Sequence, residues 1–285
     1  MPGSRGIAPM TEPEPPDAGA FSDIDALPEP VFELLFGVLR GMAEHPEIQR
    51  VRRTAWDALQ PMPGQRLLDA GAGAGEVARA LAAAVGEQGE VVAMDSSART
   101  LQAARALTPP ELPIRFVQGS VTDLEFPAET FDGVRSERVL QHVPDPDRAV
   151  RELARVTRRG GRVCLVDTDW ESAALDGVPA NLATAVRERM LNVAPGHHND
   201  MGRTLRRRLL RASLDDVTAT PVTCLFLDPA SAAVVLPVMD PAIPPEAGMI
   251  PDDLREQWFT AIAAAGERGE FLAVLTIWVA AGVRR

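Results

Sequence analysis

The sequence contains no lysine and no tyrosine, so all 29 of its basic residues are arginine. A lysine Schiff base and a tyrosine phenolate are therefore excluded as catalytic groups, which leaves histidine, aspartate, glutamate and cysteine for proton transfer. Only four histidines are present. The search for a general base is thereby confined to a few positions.

Cysteine is scarce, and long apolar runs are absent. Cys164 and Cys224 both lie in predicted strands, where we expect reduced core residues rather than a disulfide scaffold. The longest apolar stretch, residues 271–282, is too short to cross a bilayer, and the N-terminus lacks the apolar segment of a signal peptide. We expect a cytoplasmic protein without a membrane partner.

Basic residues are fewer than acidic ones, 29 against 40. The formal net charge is −11, which argues against a phosphate-backbone partner because nucleic-acid binding depends on clustered basic residues. The chain has 285 residues, 46% of them hydrophobic, enough for one large α/β core. These features favour a small-molecule ligand over nucleic acid.

Three regions follow one another along the chain. Residues 1–20 are rich in proline and acidic side chains, which predicts a disordered tail. Residues 21–60 predict two lid helices, the first with an apolar stripe from Val31 to Met42 and the second, 46–59, with proline in its first turn. Residues 61–285 predict the main domain, with insertions at about 171–200 and 228–268.

Apolar strands alternate with amphipathic helices through the main domain, which indicates the α/β class. The predicted strands are 66–70, 90–95, 114–118, 131–136, 162–167, 217–227 and 269–283. The predicted helices between them include 76–85, 96–107, 147–158 and 201–212.

A glycine-rich turn joins the first of these strands to the first helix. Gly71, Gly73 and Gly75 alternate with alanine, so the backbone can adopt strained dihedrals and approach a ligand closely. The helix that starts at Glu76 presents its free N–H groups to the same place. In the dinucleotide fingerprint the third glycine comes one residue later, and here Asp69 stands two residues before the first glycine.

The Asp-x-Gly-x-Gly-x-Gly pattern of residues 69–75 resembles motif I of the class I S-adenosylmethionine (SAM) methyltransferases. The segment around Gly160-Gly161 is similar to a second family motif, although Arg159 stands where proline is usual. The resemblance covers roughly residues 60–285. It implies a Rossmann-like sheet of seven strands in the order 3-2-1-4-5-7-6 with strand 7 antiparallel, SAM as cofactor and S-adenosylhomocysteine (SAH) as product.

The same resemblance assigns the cofactor residues. Asp95 ends the second strand about 20 residues after the last glycine, where a ribose-binding carboxylate belongs, although it could instead cap the following helix. In the family, an acid after the third strand accepts a proton from the adenine amino group. The implied cofactor residues are Asp69, Gly71, Gly73, Gly75, Asp95, Ser96, Val121, Thr122, Asp123 and Ser136.

Three histidines are candidates for the general base. His142 follows the fourth strand, at the sheet edge where chemistry is expected in an open α/β fold, although it could simply be structural. His197 and His198 lie in the first insertion near Asp200 and are the alternatives. His197, His198 and Asp200 could also suggest a metal site, but adjacent histidines rarely converge on one ion, so no metal is predicted.

Four residues are candidates for acceptor contacts: Phe36, Arg138, Trp170 and Trp258. Ordinary packing or ion pairing is the alternative for each. The resemblance implies methyl transfer, and the acidic charge and the two insertions favour a small-molecule acceptor. We expect O-methylation slightly ahead of N or C, and specialised metabolism is a hypothesis that rests on the charge and composition. Rival hypotheses are decarboxylation or cyclisation with the bound cofactor, a nicotinamide oxidoreductase, and a non-catalytic subunit. The protein is expected to be a monomer or homodimer.

Overall fold

A computed structural model describes residues 24–192 and 198–285. The tail expected at residues 1–20 and the candidate base His197 lie outside the described residues.

The fold is a single seven-stranded sheet in the order β3-β2-β1-β4-β5-β7-β6. Strands β1 to β5 are parallel where they pair, and β7 runs antiparallel to both β5 and β6. The predicted fold class and strand order are confirmed. The strands are β1 Arg66–Ala70, β2 Glu90–Asp95, β3 Ile114–Gln118, β4 Phe131–Glu137, β5 Thr157–Asp176, β6 Leu214–Phe226 and β7 Leu272–Arg284.

Helices cover both faces of the sheet, as a mostly parallel sheet requires. They are α1 Glu29–Glu44, α2 Pro46–Leu59, α3 Glu76–Val85, α4 Ala98–Ala106, α5 Pro146–Val156, α6 Ala180–Asn192, α7 Met201–Arg211, α8 Pro229–Val235 and α9 Arg255–Glu267. Short 3₁₀ turns occur at Ile24–Ala26, Leu140–His142, Pro237–Met239, Pro245–Ala247 and Asp252–Leu254.

Alternation along β1 divides the core into two layers. Leu67 packs into a cluster that includes residues of α2 and α3, whereas Leu68 packs into a cluster that includes residues of α5 and α7. Both side chains are buried, and each contributes on the order of 1.5–3 kcal/mol by leaving water. This packing fixes which face of the sheet each side chain of β1 and β4 meets.

Strand β5 is longer than the sequence predicts. It does not leave the sheet at Asp167 but continues to Asp176, with an irregularity between Asp169 and Ala174. The extension exists because β7 supplies an antiparallel partner on both sides of this irregularity, pairing Thr276 with Asp169 and Leu272 with Asp176. The polar segment 168–172 has no strand pattern of its own, so tertiary pairing decides its structure.

Smaller boundary errors have the same cause. Helix α5 ends at Val156, two residues earlier than predicted, because Thr157 already pairs with Phe131 of β4. Strand β6 begins at Leu214, opposite Arg284 of β7. In both cases pairing with a neighbouring strand makes a strand begin earlier than its local sequence pattern predicts.

Within residues 24–192 and 198–285, none of the helices has both the length and the apolar character needed to span a bilayer.

Candidate active site

The carboxyl ends of four parallel strands meet at one edge of the sheet. Register pairs Ala70 with Met94, Asp95 with Gln118, and Ala70 with Ser136, so the turns after β1 to β4 are neighbours. In an open α/β sheet this is where ligands bind. Most of the predicted site residues lie along this edge.

The glycine turn has the backbone that its sequence predicts. Gly71, Gly73 and Gly75 all have positive φ, of 80°, 52° and 79°. The amide of Gly71 donates to the Met94 carbonyl at 2.7 Å, which ties the turn to the end of β2. A Cβ on Gly71 would lie 2.0 Å from Val139 Cγ2, whereas a Cβ on Gly73 would meet no described atom within 4 Å. Gly71 therefore serves close packing, and Gly73 faces open space.

Asp95 is held by backbone amides at the end of β2. Its Oδ2 accepts from the Gly73 amide at 2.9 Å, and its Oδ1 accepts from the Ser97 amide at 3.1 Å. Burial is the largest influence and raises the pKa of the Asp95 carboxyl despite these bonds. The side chain that caps α4 is Ser97, which accepts from the Thr100 amide, so Asp95 is not the helix cap. Ser96 beside it is exposed.

The segment after β3 is more open. Val121 is buried, Thr122 shares a 2.8 Å hydroxyl contact with Ser120, and the Asp123 side chain is 80% exposed. Arg148 lies 3.7 Å from the Asp123 carboxylate. The adenine role predicted for Val121, Thr122 and Asp123 stays a prediction, and Asp123 is free to turn toward a ligand.

Ser136 has a structural bond that the sequence did not predict. Its hydroxyl donates to the Ala70 carbonyl at 2.9 Å, and the side chain is almost fully buried. The hydroxyl therefore ties β4 to β1. Any contact of Ser136 with the cofactor would fall to its backbone.

A buried network of charges lies beneath the turn, and sequence reasoning missed it. Arg135 donates to Asp69 at 3.1 Å and also to Glu137, and Glu137 accepts from Arg52 of α2 at 3.1 Å. Burial disfavours the charged form of Glu137, but Arg52 and Arg135 outweigh it and lower the pKa to about 2. The alternation of Arg135 and Glu137 in a strand beside Asp69 could have suggested the network.

Asp69 is not fully satisfied by this network. Its Oδ2 is buried and has no hydrogen-bond partner among the described residues. Burial is the main cause that raises the pKa of its carboxyl. A cavity of about 200 Å³ opens next to the network and is lined by Arg52, Arg53 and Arg135 among others. The Oδ2 atom of Asp69 can therefore accept one further hydrogen bond.

The N-terminal helices reach over the turn from the other side. The Asp25 carboxylate accepts from Ser97 Oγ at 2.5 Å and from the amides of Ala98 and Arg99, which fixes this segment to the first turn of α4. Phe32 and Phe36 stack with ring centroids 5.6 Å apart, and both pack against Ala74 of the glycine turn. Phe36 thus covers the turn itself, closer to the expected cofactor than to an acceptor.

A second group of polar side chains surrounds Gln141, which the sequence did not single out. The side-chain Oε1 of Gln141 accepts from the Trp170 indole at 2.7 Å. The backbone amide of Gln141 donates to Asp167 at 3.2 Å, and its backbone carbonyl accepts from the His198 amide at 3.1 Å. His142 ends the same 3₁₀ turn, and the Arg138 carbonyl just before this turn accepts from the Gln141 side-chain amide at 3.5 Å. The structure therefore brings four predicted residues, Arg138, His142, Trp170 and His198, to one place.

Asp167 is the titratable group at the centre of this cluster. It is fully enclosed, and burial raises the pKa of its carboxyl to about 7, although the amides of Thr168 and Gln141 donate to it. Burial also lowers the pKa of the Arg138 guanidinium. His198 has its own structural contact, with Nε2 3.1 Å from the Val143 carbonyl.

Trp258 does not join the site. Its side chain is 1% exposed, and its indole N–H donates to the Val238 carbonyl at 2.7 Å. It lies in the core formed by α8, α9 and the turn at Pro237–Met239, packed with residues such as Val238 and Ile262. An acceptor role for Trp258 gains no support, because burial inside the helical segment explains the residue fully.

Among the described residues, no group of three or more histidine, cysteine, aspartate or glutamate side chains is placed to hold an ion.

Comparison with known proteins identifies the domain. Residues 68–165 match the family described as the methyltransferase domain. The chain is 32% identical over 226 residues to an uncharacterised 37.1 kDa protein in a transposon of Streptomyces fradiae, covering 78% of this chain and 64% of that protein. It is 37% identical over 106 residues to a demethylmenaquinone methyltransferase of Lysinibacillus sphaericus, covering 37% of this chain and 45% of that enzyme.

Among solved structures, the YcgJ protein of Bacillus subtilis superposes with a TM-score of 0.56 at 20% identity, over 80% of this chain and 95% of that one. This likeness shows a common fold. The chain spans less than two thirds of either curated relative's length. The strand order and the glycine turn agree with the match of residues 68–165 to a methyltransferase domain.

Proposed function

We propose that the protein binds SAM at the β1–β2 edge and transfers its methyl group to a small organic acceptor. The observation that carries the proposal is the pairing of Asp95 with the open glycine turn. The carboxylate is anchored at the carboxyl end of β2 by two backbone amides, and Gly73 leaves the space before it open. A ribose with two hydroxyl groups fits such a carboxylate, since each can donate to one oxygen.

The residues around the turn also fit the amino-acid end of the cofactor. The free Oδ2 of Asp69 would accept from an ammonium group, and such a bond would remove the one unsatisfied atom of that carboxylate. Gly75 has no side chain to cap α3, so the first amides of that helix face the same region. Phe32 and Phe36 would exclude water from above.

When bound, SAM supplies a methyl group already activated by its cationic sulfur. The protein's part is then mainly to hold the acceptor in line with that methyl, at a separation of about 3–3.5 Å. The cluster around Gln141 is suited to this task because Trp170, Asp167 and His198 all fix its position. An acceptor would contact the rim of this cluster.

O-methylation remains our preferred chemistry, with His142 as the proton acceptor. His142 is half-buried at the carboxyl end of β4, next to Gln141. Asp167 is too enclosed to touch an acceptor, so we assign it to holding the backbone amide of Gln141. His198 is the second candidate base. A flat organic acceptor is supported by the partial likeness to demethylmenaquinone methyltransferase and by Trp170 at the cluster. Specialised metabolism is proposed as the setting.

Calorimetric titration with SAM, SAH and NAD tests the proposal. We expect SAM and SAH to bind the wild-type protein and NAD not to bind. Asp95→Ala should weaken SAH by about 10- to 100-fold, because hydrogen bonds to a charged group are worth about 1.5–3 kcal/mol. Asp145→Ala is the matched control, since Asp145 also accepts a backbone amide but at the start of α5.

Binding of NAD instead of SAM, or of neither, would overturn the cofactor assignment. Equal SAH affinity in Asp95→Ala and Asp145→Ala would remove Asp95 from the ribose site. The transfer itself is checked by mass spectrometry, because a methylated acceptor is heavier by one CH₂. A product without that added mass would point to a different use of the bound cofactor.

A further inference from the structure

Arg138 has an unusual backbone for its residue type. Its φ is 54°, in the left-handed region that residues other than glycine seldom adopt, and its amide donates to the Val166 carbonyl at 2.7 Å. The turn breaks the alternation of β4. The guanidinium lies beside α1, where Nη1 is 3.0 Å from Met42 Sδ. A strained conformation of this kind persists where the surrounding structure holds it in place.

The carboxylates near Arg138 are already engaged. Glu137 is bonded by Arg52 and Arg135, and Asp167 accepts from the amides of Gln141 and Thr168. Within the described parts of the chain, the Arg138 guanidinium makes no ion pair, and its bond to Met42 is to a weak acceptor. Most of its five N–H donors are therefore available.

Charge in this region does not balance. Arg52, Arg135 and Arg138 carry three positive charges, while Asp69 and Glu137 supply two carboxylates. Burial raises the pKa of the Asp167 carboxyl to about 7, so near neutral pH this group supplies less than a full negative charge. A guanidinium withdrawn from water without a counter-ion is unfavourable, which makes an incoming anion favourable. A planar carboxylate suits the guanidinium best because two parallel N–H···O bonds can form.

We propose that Arg138 binds a carboxylate on the methyl acceptor, so that the substrates are carboxylic acids. The inference depends on the proposed methyl transfer, because it identifies the acceptor of that same site. Val139, the next residue, packs against Gly71 of the glycine turn, and Gln141 follows two residues later. A carboxylate held by Arg138 therefore places the rest of the acceptor between the turn and the Gln141 cluster. The amino-acid carboxylate of SAM has the same chemistry, and the test separates the two sources.

The first experiment needs only the wild-type protein, saturated with SAH so that the cofactor carboxylate is already bound. Benzoate and benzamide have the same shape and differ in charge. We expect benzoate to bind at least tenfold more tightly than benzamide, measured by calorimetry and by tryptophan fluorescence. Equal binding of the two probes, or no binding of either at 100 mM, would overturn the proposal.

The second experiment assigns the preference to a residue. Arg138→Met should abolish the preference for benzoate and leave the affinity for SAH within twofold of the wild type. Arg40→Met removes one exposed charge from α1 and should keep the preference, which controls for net charge. If Arg138→Met instead weakens SAH tenfold and the benzoate preference persists, the guanidinium serves the cofactor and the acceptor assignment is wrong.

Misfolding of Arg138→Met and failure of the wild-type protein to bind SAH have different consequences. Should Arg138→Met fail to fold, Arg138→Lys retains the charge but loses the fork, and we expect it to lose part of the benzoate preference; full retention would contradict bidentate binding. Failure of the wild-type protein to bind SAH would defeat the proposed function alone. The benzoate and benzamide comparison on the unliganded protein would still show whether Arg138 binds a carboxylate.

Discussion

The two halves of the sheet edge are built from different materials. At the β1–β2 half, backbone amides fix the geometry: those of Gly71 and Gly73 hold the turn to Met94 and Asp95. Gly73, which faces open space, has no side chain. At the β4–β5 half, side chains fix the geometry. The Trp170 indole donates to the Gln141 side chain, and the Asp167 carboxylate accepts from the backbone amide of Gln141. The geometry of the first half depends on backbone contacts, whereas that of the second depends on side chains that can change with sequence.

This difference matches the division of labour that the proposed function requires. A cofactor common to a family is served by backbone geometry, which few substitutions alter. An acceptor that differs between relatives is served by side chains, which substitutions alter readily. Arg135 joins the halves, because it bonds Asp69 of β1 and Glu137 of β4.

The largest expected effect is therefore that of Arg135→Met. Removing the guanidinium leaves Asp69 buried without its ion-pair partner, and breaking a buried pair in this way costs about 3–5 kcal/mol. Urea unfolding at pH 7 measures the change. Arg158→Met is the matched control because it removes an arginine that pairs with Asp132 at the surface, and the expected cost there is below about 1 kcal/mol.

Equal costs in Arg135→Met and Arg158→Met would show that the buried network does not join the halves. In Arg135→Met, Glu137 keeps its bond to Arg52. The loss of unfolding free energy in this variant therefore reports on Asp69, which loses its partner.

The next effect is that of Gly71→Ala in the backbone-built half. A methyl group there would lie 2.0 Å from Val139 Cγ2 on a residue with φ of 80°, so overpacking and strain add to about 2–4 kcal/mol. Gly64→Ala is the matched control, since its φ is 79° and no described atom lies within 4 Å of the added carbon. The difference in melting temperature between the two variants isolates the contact with Val139.

Gly73→Ala tests whether the same turn binds the cofactor. Its added methyl meets no described atom, so we expect stability close to that of Gly64→Ala but much weaker SAH binding. Unchanged SAH affinity would mean that the space in front of Gly73 is not the cofactor site.

The cofactor half was readable from sequence because its signal is local. The strand, the three glycines and the acid at the end of β2 lie within 30 residues, and the bounds of β1, α3 and β2 agree with prediction. What the sequence could not show is how the carboxylates are satisfied. The bond of Asp69 to Arg135 joins residues 66 positions apart, and no local pattern predicts it.

The acceptor half was read less well because long-range pairing shapes it. The continuation of β5 to Asp176 depends on β7, about 100 residues later, and it carries Trp170 to Gln141. Gln141 was overlooked since a neutral amide suggests no chemistry on its own. The apolar surface of Trp258 would suit a flat acceptor, but the structure places this residue in the core of the helices between β6 and β7.

The smallest expected effect is a pH dependence centred on Asp167. Burial raises the pKa of its carboxyl to about 7, whereas an unfolded aspartate ionises near 4. The stability that protonated Asp167 contributes is thus fully present below pH 4 and is lost as the pH rises through about 7. Between pH 6 and 8 the free energy of unfolding of the wild type should fall by about 1–1.5 kcal/mol from this group.

Asp167→Asn is neutral at every pH, so its unfolding free energy should fall less over the same range, even though one backbone amide loses its acceptor and overall stability decreases. Asp145→Asn, at the exposed start of α5, should keep the wild-type slope. Histidine protonation is common to the three proteins and cancels in the comparison. Identical slopes would mean that Asp167 is ionised throughout; it would then be a counter-ion for Arg138, and the acceptor half would have no surplus positive charge to attract a carboxylate.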